Sequence, residues 1–197
     1  MKTLIIYAHP GPSHFCARFL EKTKNCLEGR GVDYQVWDLY KMGYDPLIKS
    51  EEVYTGGKDW QISEKTRQLQ KELNSYKRII FIYPIWWGGM PAILKGFLDR
   101  TLTPGFAFKF RSDKFVKSIP EKYFQEKKIL ALVSSGAPGF FYFLILNPIK
   151  LLNKFFIFGF IGASSRTKQI YGARKLTTAK KKQIDKLVNR GLSWFLN

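Results

Sequence analysis

Short apolar runs alternate along the chain with longer segments in which apolar residues recur at helical spacing. The runs are rich in β-branched and aromatic residues and cover 3–7, 33–38, 78–83, 129–134 and, more weakly, 167–171. Continuous apolar runs of this length are typical of strands that are buried on both faces of a parallel sheet. The pattern therefore predicts five parallel strands.

The amphipathic segments between the runs each carry one apolar stripe, which indicates a helix against the sheet. The first begins near Phe15 and ends at the glycines of 29–31, and the third has Pro91 in its first turn. The last shows the clearest stripe: Ile184, Leu187, Val188, Gly191, Leu192 and Phe195. Strands that alternate with helices predict right-handed βαβ units and an α/β fold, a three-layer α/β/α sandwich.

Residues 139–163 form the most apolar stretch of the chain. Pro148, Lys150 and Lys154 interrupt it, so no part approaches the ~20 continuous apolar residues that a membrane-spanning helix needs. We expect instead a helix that is buried against a partner subunit or rests on a membrane surface.

Length and composition indicate one globular domain over 1–197, because the chain is 45% hydrophobic and neither a repeat nor a linker divides it. The first apolar run is too short for a signal peptide, which predicts a cytoplasmic protein. Cys16 and Cys26 lie ten residues apart on one predicted helix, about 15 Å, which is beyond disulfide reach. We expect both to be free, buried thiols.

The charge is unusual, with 33 basic against 15 acidic residues and a formal net charge of +18. Basic residues concentrate in 109–128, at 174–175 and at 180–182. Two interpretations stay open: a solvated basic surface without a partner, or a surface that attracts a phosphorylated cofactor, nucleic acid or acidic lipid. Because no nucleic-acid-binding motif accompanies the charge, nucleic acid is the weakest of these partners.

The loop after the first strand leads directly into a helix, and the amino end of a helix favours a phosphate. We expect His9, Ser13, His14 and Phe15 to hold the phosphate end of a ligand there. The alternative is an ordinary strand–helix turn with Ser13 as the helix cap.

Two adjacent tryptophans follow the third run, although indoles are costly to expose, and a glycine beside them lets the backbone approach a flat ligand. We expect Pro84, Ile85, Trp86, Trp87 and Gly88 to contact a flavin ring through main-chain N–H groups and indoles. The alternative is that both tryptophans belong to the core or to an interface.

The loop after the fourth run is built of small residues that would let a ring lie against the backbone. We expect Ser135, Gly136 and Ala137 to contact the cofactor there.

The stretch 83–100, with Pro-Ala-Ile-Leu-Lys-Gly at 91–96, resembles the NAD(P)H:quinone oxidoreductase family of flavodoxin-like proteins, which includes ancillary reductases of potassium-efflux systems. His9-Pro10 and the small residues of 134–137 resemble the family's phosphate and flavin loops. The resemblance implies a flavodoxin-like fold, tightly bound FMN or FAD, and NAD(P)H as the electron donor. It also implies a homodimer and ping-pong transfer to a quinone or similar small-molecule acceptor.

Three departures from the family pattern concern the loops and the substrate pocket. His14-Phe15-Cys16 replaces the common Ser-Phe-Asn, and the stretch between Tyr142 and Pro148 is short and apolar. The resemblance places Tyr142 at the family's catalytic tyrosine, but Pro148 occupies the position of its partner histidine. We predict Tyr142 as a catalytic hydrogen-bond donor; the alternative is one more aromatic residue in an apolar helix.

Two rival functions stay open beside a reductase. One is a one-electron carrier of the flavodoxin type, although flavodoxins are typically acidic and have a Ser/Thr-rich first loop. The other is a flavin-binding regulatory subunit of a membrane partner, suggested by the basic surface and the apolar stretch 140–160. The choice between FMN and FAD, the nicotinamide donor and the acceptor also stay open.

Overall fold

A computed structural model describes residues 2–12, 14–54, 60–110 and 120–197. Its main sheet has five parallel strands in the order β2-β1-β3-β6-β7. The described strands are β1 (Thr3–Tyr7), β2 (Tyr34–Asp38), β3 (Arg78–Pro84), β4 (Phe108–Lys109), β5 (Glu121–Lys122), β6 (Lys128–Ser134) and β7 (Ser164–Ile170). The predicted five-stranded parallel sheet is confirmed, and its strand order is that of the predicted flavodoxin-like fold.

Helices cover both faces of the sheet and complete the predicted three-layer sandwich. They are α1 (Phe15–Glu28), α2 (Glu64–Asn74), α3 (Ala92–Thr101), α4 (Gly139–Leu144), α5 (Pro148–Leu151) and α6 (Thr178–Leu196), with a 3₁₀ turn at Ser50–Glu52 and a π-helical turn at Leu152–Ile157. α1 and α6 share one core with alternate strand residues, and α2 and α3 share the other. Successive strand side chains point to opposite faces, so each central strand contributes to both cores.

Three details differ from the sequence predictions. β7 begins at Ser164, three residues before the predicted 167–171, because it is an edge strand whose first residues are partly exposed and polar. β4 and β5 form a separate antiparallel pair, too short to leave a periodic pattern. Pro91 is the residue before α3 and not part of its first turn.

The stretch 139–163 divides into α4, α5 and the π-helical turn that follows. Asn147 separates α4 from α5 with a left-handed backbone, and its side-chain oxygen accepts a hydrogen bond from the N–H of Lys150. In the part of the chain that the structure describes, no helix is long and apolar enough to cross a membrane.

Gly96 and Arg100, one turn apart on α3, hold the segment before the 3₁₀ turn against the helix. A Cβ atom on Gly96 would lie 2.2 Å from the carbonyl oxygen of Pro46, so only glycine permits this approach. The Arg100 guanidinium donates to the carbonyl oxygen of Asp45 at 2.5 Å and to the Glu52 carboxylate at 2.7 Å. The side chains of Arg100 and Glu52 are only 8% and 7% exposed. Because α3 directly follows the tryptophan loop, this contact secures the base of that loop.

Replacing Arg100 by Met should lower the free energy of unfolding by about 3 kcal/mol, because the Glu52 carboxylate would remain buried without its partner. Lys95→Met is the matched control on the same helix: its ion pair with Asp99 is solvent-exposed, so the loss should be below about 1 kcal/mol. Urea unfolding measures both. Similar losses in the two variants would contradict the role of this buried pair.

Candidate functional site

A cleft of about 520 Å³ opens at the carboxyl edge of the main sheet. Strand order reverses between β1 and β3, which is where open α/β sheets bind ligands. The loops after β1, β3, β6 and β7 line the cleft with His9, His14, Phe15, Pro84, Ile85, Trp86, Ser134, Gly136 and Ala173. The structure thus brings together predicted site residues from all three loops considered in the sequence.

Two lining residues were not predicted as site residues. Ser134 ends β6, and its hydroxyl lies 3.4 Å from the thiol of Cys16. Ala173 follows β7, the strand with the weakest sequence pattern, so the loop after it was not considered. The strand-end rule that identified the other loops would have found it.

Several predicted residues lie outside the lining. Ser135 is buried, and its N–H and hydroxyl both donate to the last carbonyl of β7. The carbonyl of Ala137 accepts a hydrogen bond from Gly172. Tyr142 is buried with its ring 5.4 Å from that of Tyr171. Ser13 lies outside the described residues. Tyr142 is not among the residues that line this cleft, and its catalytic role stays a prediction.

Trp86, Trp87, Gly88 and Gly89 form a tight turn beside the cleft. Trp86 and Gly89 exchange backbone hydrogen bonds of 3.0 and 2.9 Å, and the φ angles of Trp87 and Gly88 are 50° and 77°. Two positive φ angles define a type I′ turn, which strongly favours Asn or Gly at both central positions. A tryptophan with left-handed backbone costs about 1–2 kcal/mol. Because Trp87 is fully exposed, burial does not offset that cost.

The backbone of this loop determines which N–H groups can reach a ligand. Ile85 donates to the carbonyl oxygen of Ser134 at 2.7 Å, and Trp86 donates within the turn. These two groups are therefore used inside the protein. Along the described part of the loop, the N–H groups of Trp87 and Gly88 have no protein partner.

The two histidines lie side by side in the cleft near the amino end of α1, with ring centroids 4.4 Å apart. The ring of His9 is also 6.0 Å from that of Trp86, and its Nδ1 accepts a hydrogen bond from the N–H of Gly11 at 3.0 Å. Burial, and secondly the proximity of His14, lower the pKa of His9 below its ordinary value, against a smaller opposing effect of the Gly11 backbone. Both effects favour the neutral imidazole of His9.

The amino end of α1 reaches the same part of the cleft. His14 precedes the helix with an extended backbone, and its side chain makes no capping hydrogen bond. The first N–H groups of a helix have no partner within it and carry a partial positive charge. The end of α1 and the two imidazoles together suit an anion.

Both cysteines are on α1 and free, as expected. Cys16 is buried beside the cleft, and burial raises the pKa of its thiol to about 12. A thiol protonated at neutral pH is a poor nucleophile, so the cleft has no thiolate from this residue. Cys26 is only half-buried, contrary to expectation, and its thiol donates to Asn189.

Gly136 lies where the floor of the cleft is open. A Cβ atom there would have no neighbouring atom within 4 Å, and the residue does not have a left-handed backbone. A flat group can therefore approach the main chain at this point. The cleft therefore combines space for a flat group at Gly136 with groups near the amino end of α1 that suit an anion.

The family model described as flavodoxin-like fold matches residues 1–191. The chain belongs to this family. Over 159 residues it is 30% identical to NAD(P)H dehydrogenase (quinone) 1 of Rattus norvegicus, covering 73% of this chain and 56% of that protein. It is 34% identical over 127 residues to an uncharacterized NAD(P)H oxidoreductase of Haemophilus influenzae, covering 64% and 62%. The chain thus matches less than two thirds of each relative's length. The names of these relatives confirm the predicted resemblance to quinone oxidoreductases.

Solved structures show the same fold over nearly the whole of this flavodoxin-like chain. Smu.1420 from Streptococcus mutans superposes with a TM-score of 0.75 at 27% identity, covering 98% of this chain and 100% of that one. An FMN-dependent NADH-azoreductase from Bacillus anthracis, solved in complex with FMN, gives a TM-score of 0.69 at 18% identity, with 96% and 99% covered. At 18% identity, the similarity to the azoreductase shows the shared fold alone.

Trp87→Asn should raise the free energy of unfolding of this flavodoxin-like protein by about 1 kcal/mol, because asparagine tolerates left-handed backbone and the exposed indole contributes no burial. Gly88→Ala, in the same turn, should lower it by a similar amount, since φ at Gly88 is 77°. Thermal and urea unfolding measure both changes. A destabilised Trp87→Asn protein would show that the indole has a packing role.

Proposed function

We propose that the chain is a flavin-dependent NAD(P)H oxidoreductase that passes electrons by ping-pong hydride transfer to a quinone or similar electrophilic acceptor. The observation that carries the proposal is the cleft at the strand-order reversal, where an open glycine floor meets an anion-binding helix end. The relatives named NAD(P)H dehydrogenase (quinone) and NAD(P)H oxidoreductase support the donor and the class of acceptor.

The residues present fit a flavin at both ends of the cleft. Gly136 leaves space against the main chain that a side chain would fill, which suits a flat ring. The N–H groups of Trp87 and Gly88 are the donors available for the polar edge of that ring. His9, with His14 and the amino end of α1, suits the flavin phosphate.

When bound, the flavin supplies hydride acceptance from the nicotinamide and hydride donation to the acceptor. The chain's own residues bind and orient it. Trp86 and Phe15 line the cleft with aromatic surface that excludes water from the ring, and Ser134 and Ile85 hold the two flanking loops together through their backbone hydrogen bond. Tyr142 has no assigned step, because it is buried against Tyr171.

Both FMN and FAD suit this arrangement. We propose FMN as the first candidate, because the phosphate end of the cleft is well defined and the Bacillus anthracis neighbour contains FMN. A homodimer, with each copy holding one flavin, stays a prediction from the family resemblance.

Gly136→Leu should strongly weaken flavin binding without unfolding the protein, because its side chain would occupy open space in the cleft. Gly136→Ala, with one added methyl group, should weaken binding less. Fluorescence quenching of free FMN and FAD gives the dissociation constants, and circular dichroism checks the fold. We expect at least a hundredfold weaker binding for the leucine variant, which corresponds to about 3 kcal/mol. Unchanged affinity would place the flavin elsewhere or exclude it.

FMN affinity should increase as the pH falls from 7 toward the lowered pKa of His9, because a phosphate beside His9 favours the imidazolium form. The pKa of His9 is below its ordinary value in the ligand-free protein, so binding takes up a proton in that range. The protonated Nδ1 has an acceptor in the Gly11 carbonyl oxygen, 3.3 Å away. Titration of His9→Gln should show a shallower pH dependence, and riboflavin, which has no phosphate, should show none. An unchanged slope in the variant would remove His9 from the phosphate site.

A further inference from the structure

A second cleft, of about 470 Å³, lies between α1 and the carboxyl ends of β1 and β2. One wall is a stripe along α1 from Ala17 to Glu28, and another is the loop after β2, with Tyr40 and Lys41. Among the described residues, His9 alone lines both this cleft and the candidate flavin cleft. The second cleft is therefore a separate space, and the function proposed above does not use it.

The floor of the second cleft has a buried phenol without a hydrogen-bond partner. Tyr7 ends β1, lines the cleft and is 4% exposed. In the part of the chain that the structure describes, its hydroxyl neither donates nor accepts a hydrogen bond. Unlike the hydroxyl of Tyr44, which is sealed in the core, that of Tyr7 can be reached from the cleft. Buried polar groups are rarely left unpaired, so this hydroxyl indicates a partner that enters the cleft.

The Tyr7 hydroxyl keeps its proton at neutral pH. Burial, and secondly the proximity of Cys16 and Asp38, raise the pKa of Tyr7 well above its ordinary value. The phenol is therefore a hydrogen-bond donor that needs an acceptor.

Asp38 lies beside this phenol with unused acceptor capacity. Tyr7 and Asp38 are directly paired residues of adjacent parallel strands, so their side chains are on the same face of the sheet. The Asp38 side chain is 16% exposed and lines the cleft. One carboxylate oxygen accepts a hydrogen bond from the N–H of Lys41 at 3.1 Å, and the other is 4.0 Å from Lys41 Nζ. A carboxylate accepts about four hydrogen bonds, so Asp38 can bind further donors.

This pair suits a hydroxyl group better than a charged group. A ligand hydroxyl can accept from the Tyr7 phenol and donate to the Asp38 carboxylate, whereas an ammonium group only donates and leaves the phenol proton unpaired. A strongly anionic or cationic ligand would also meet like charges, because the lining includes both signs: Lys24, Lys41, Glu21, Glu28 and Asp38. The cleft therefore favours a neutral ligand with hydroxyl groups.

The position of Asp38 indicates which hydroxyl ligand fits. Asp38 is the last residue of the second strand, beside the loop that follows the first strand. Dinucleotide-binding folds hold the hydroxyls of a ribose with an acidic residue further along the chain from a glycine-rich first loop, at a comparable place. The first loop here lacks their Gly-x-Gly-x-x-Gly pattern, so the comparison extends to the ribose and not to a pyrophosphate. Pro10, Leu20 and the Tyr40 ring add apolar walls for a flat base.

We propose that the second cleft binds a ribonucleoside, with the cis-diol of the ribose between Asp38 and the Tyr7 hydroxyl and the base against Tyr40 and Leu20. The proposal does not depend on flavin binding, because the two clefts share only the His9 wall among the described residues.

The test is isothermal titration calorimetry of the full-length protein with adenosine, with and without excess FMN. Adenosine should bind with one site per chain and with similar affinity in both conditions. 2′-Deoxyadenosine and 3′-deoxyadenosine each lack one hydroxyl of the diol, so each should bind at least about tenfold more weakly, as expected when a hydrogen bond to a charged group is lost.

Two variants that preserve side-chain shape test the floor of the cleft. Tyr7→Phe and Asp38→Asn should each weaken adenosine binding at least about tenfold. Tyr44→Phe is the matched control, because it also removes a buried phenol hydroxyl without a hydrogen bond, but outside the cleft. Gly136→Leu, which fills the candidate flavin cleft, is the second control. Both controls should change adenosine affinity by less than about twofold, and circular dichroism checks the fold of every variant.

Adenosine binding that requires the diol, Tyr7 and Asp38 supports the proposal. No binding at about 5 mM adenosine, equal affinity for the deoxynucleosides, or equal loss in Tyr7→Phe and Tyr44→Phe overturns it. Loss in Gly136→Leu or competition by FMN, with Tyr7→Phe unaffected, also overturns it and assigns the nucleoside to the candidate flavin cleft. FMN titration of the same samples reports on that cleft independently, so failure of one proposal is distinguishable from failure of the other.

Discussion

β3 is hydrogen-bonded in register to β1 on one side and to β6 on the other. Both pairings end at the same level of the sheet. The pairing extends beyond the strands, because Ala8 donates to Ile82 and Ile85 donates to Ser134. These bonds hold three loops from distant parts of the chain at one edge. The cleft, its glycine floor and its histidine pair all depend on that alignment, since none of the loops forms a site alone.

The tryptophan turn has an unfavourable backbone conformation that the surrounding structure stabilises. Trp87 has left-handed backbone and a fully exposed indole, which neither intrinsic backbone preference nor burial favours. Such strain persists where the surroundings determine the conformation, and it is common at ligand sites. Here the two hydrogen bonds of the turn hold its central residues, and the contact of α3 with Pro46 secures the helix that follows the turn. The turn leaves the N–H groups of Trp87 and Gly88 without a protein partner in the described part of the loop.

The sequence by itself determined the sandwich, four of the five main strands to within one residue, and the loops that form the cleft, because buried parallel strands and strand-end glycines leave strong local patterns. It underestimated β7, whose edge position tolerates polar residues such as Arg166, and it did not show β4 and β5, which are too short for periodicity. Only the tertiary structure decided that the N–H groups of Ile85 and Trp86 bond within the protein, that Tyr142 packs against Tyr171, and that Ala173 lines the cleft. Those outcomes depend on contacts between residues far apart in the chain, and periodicity records only which side of an element faces the core.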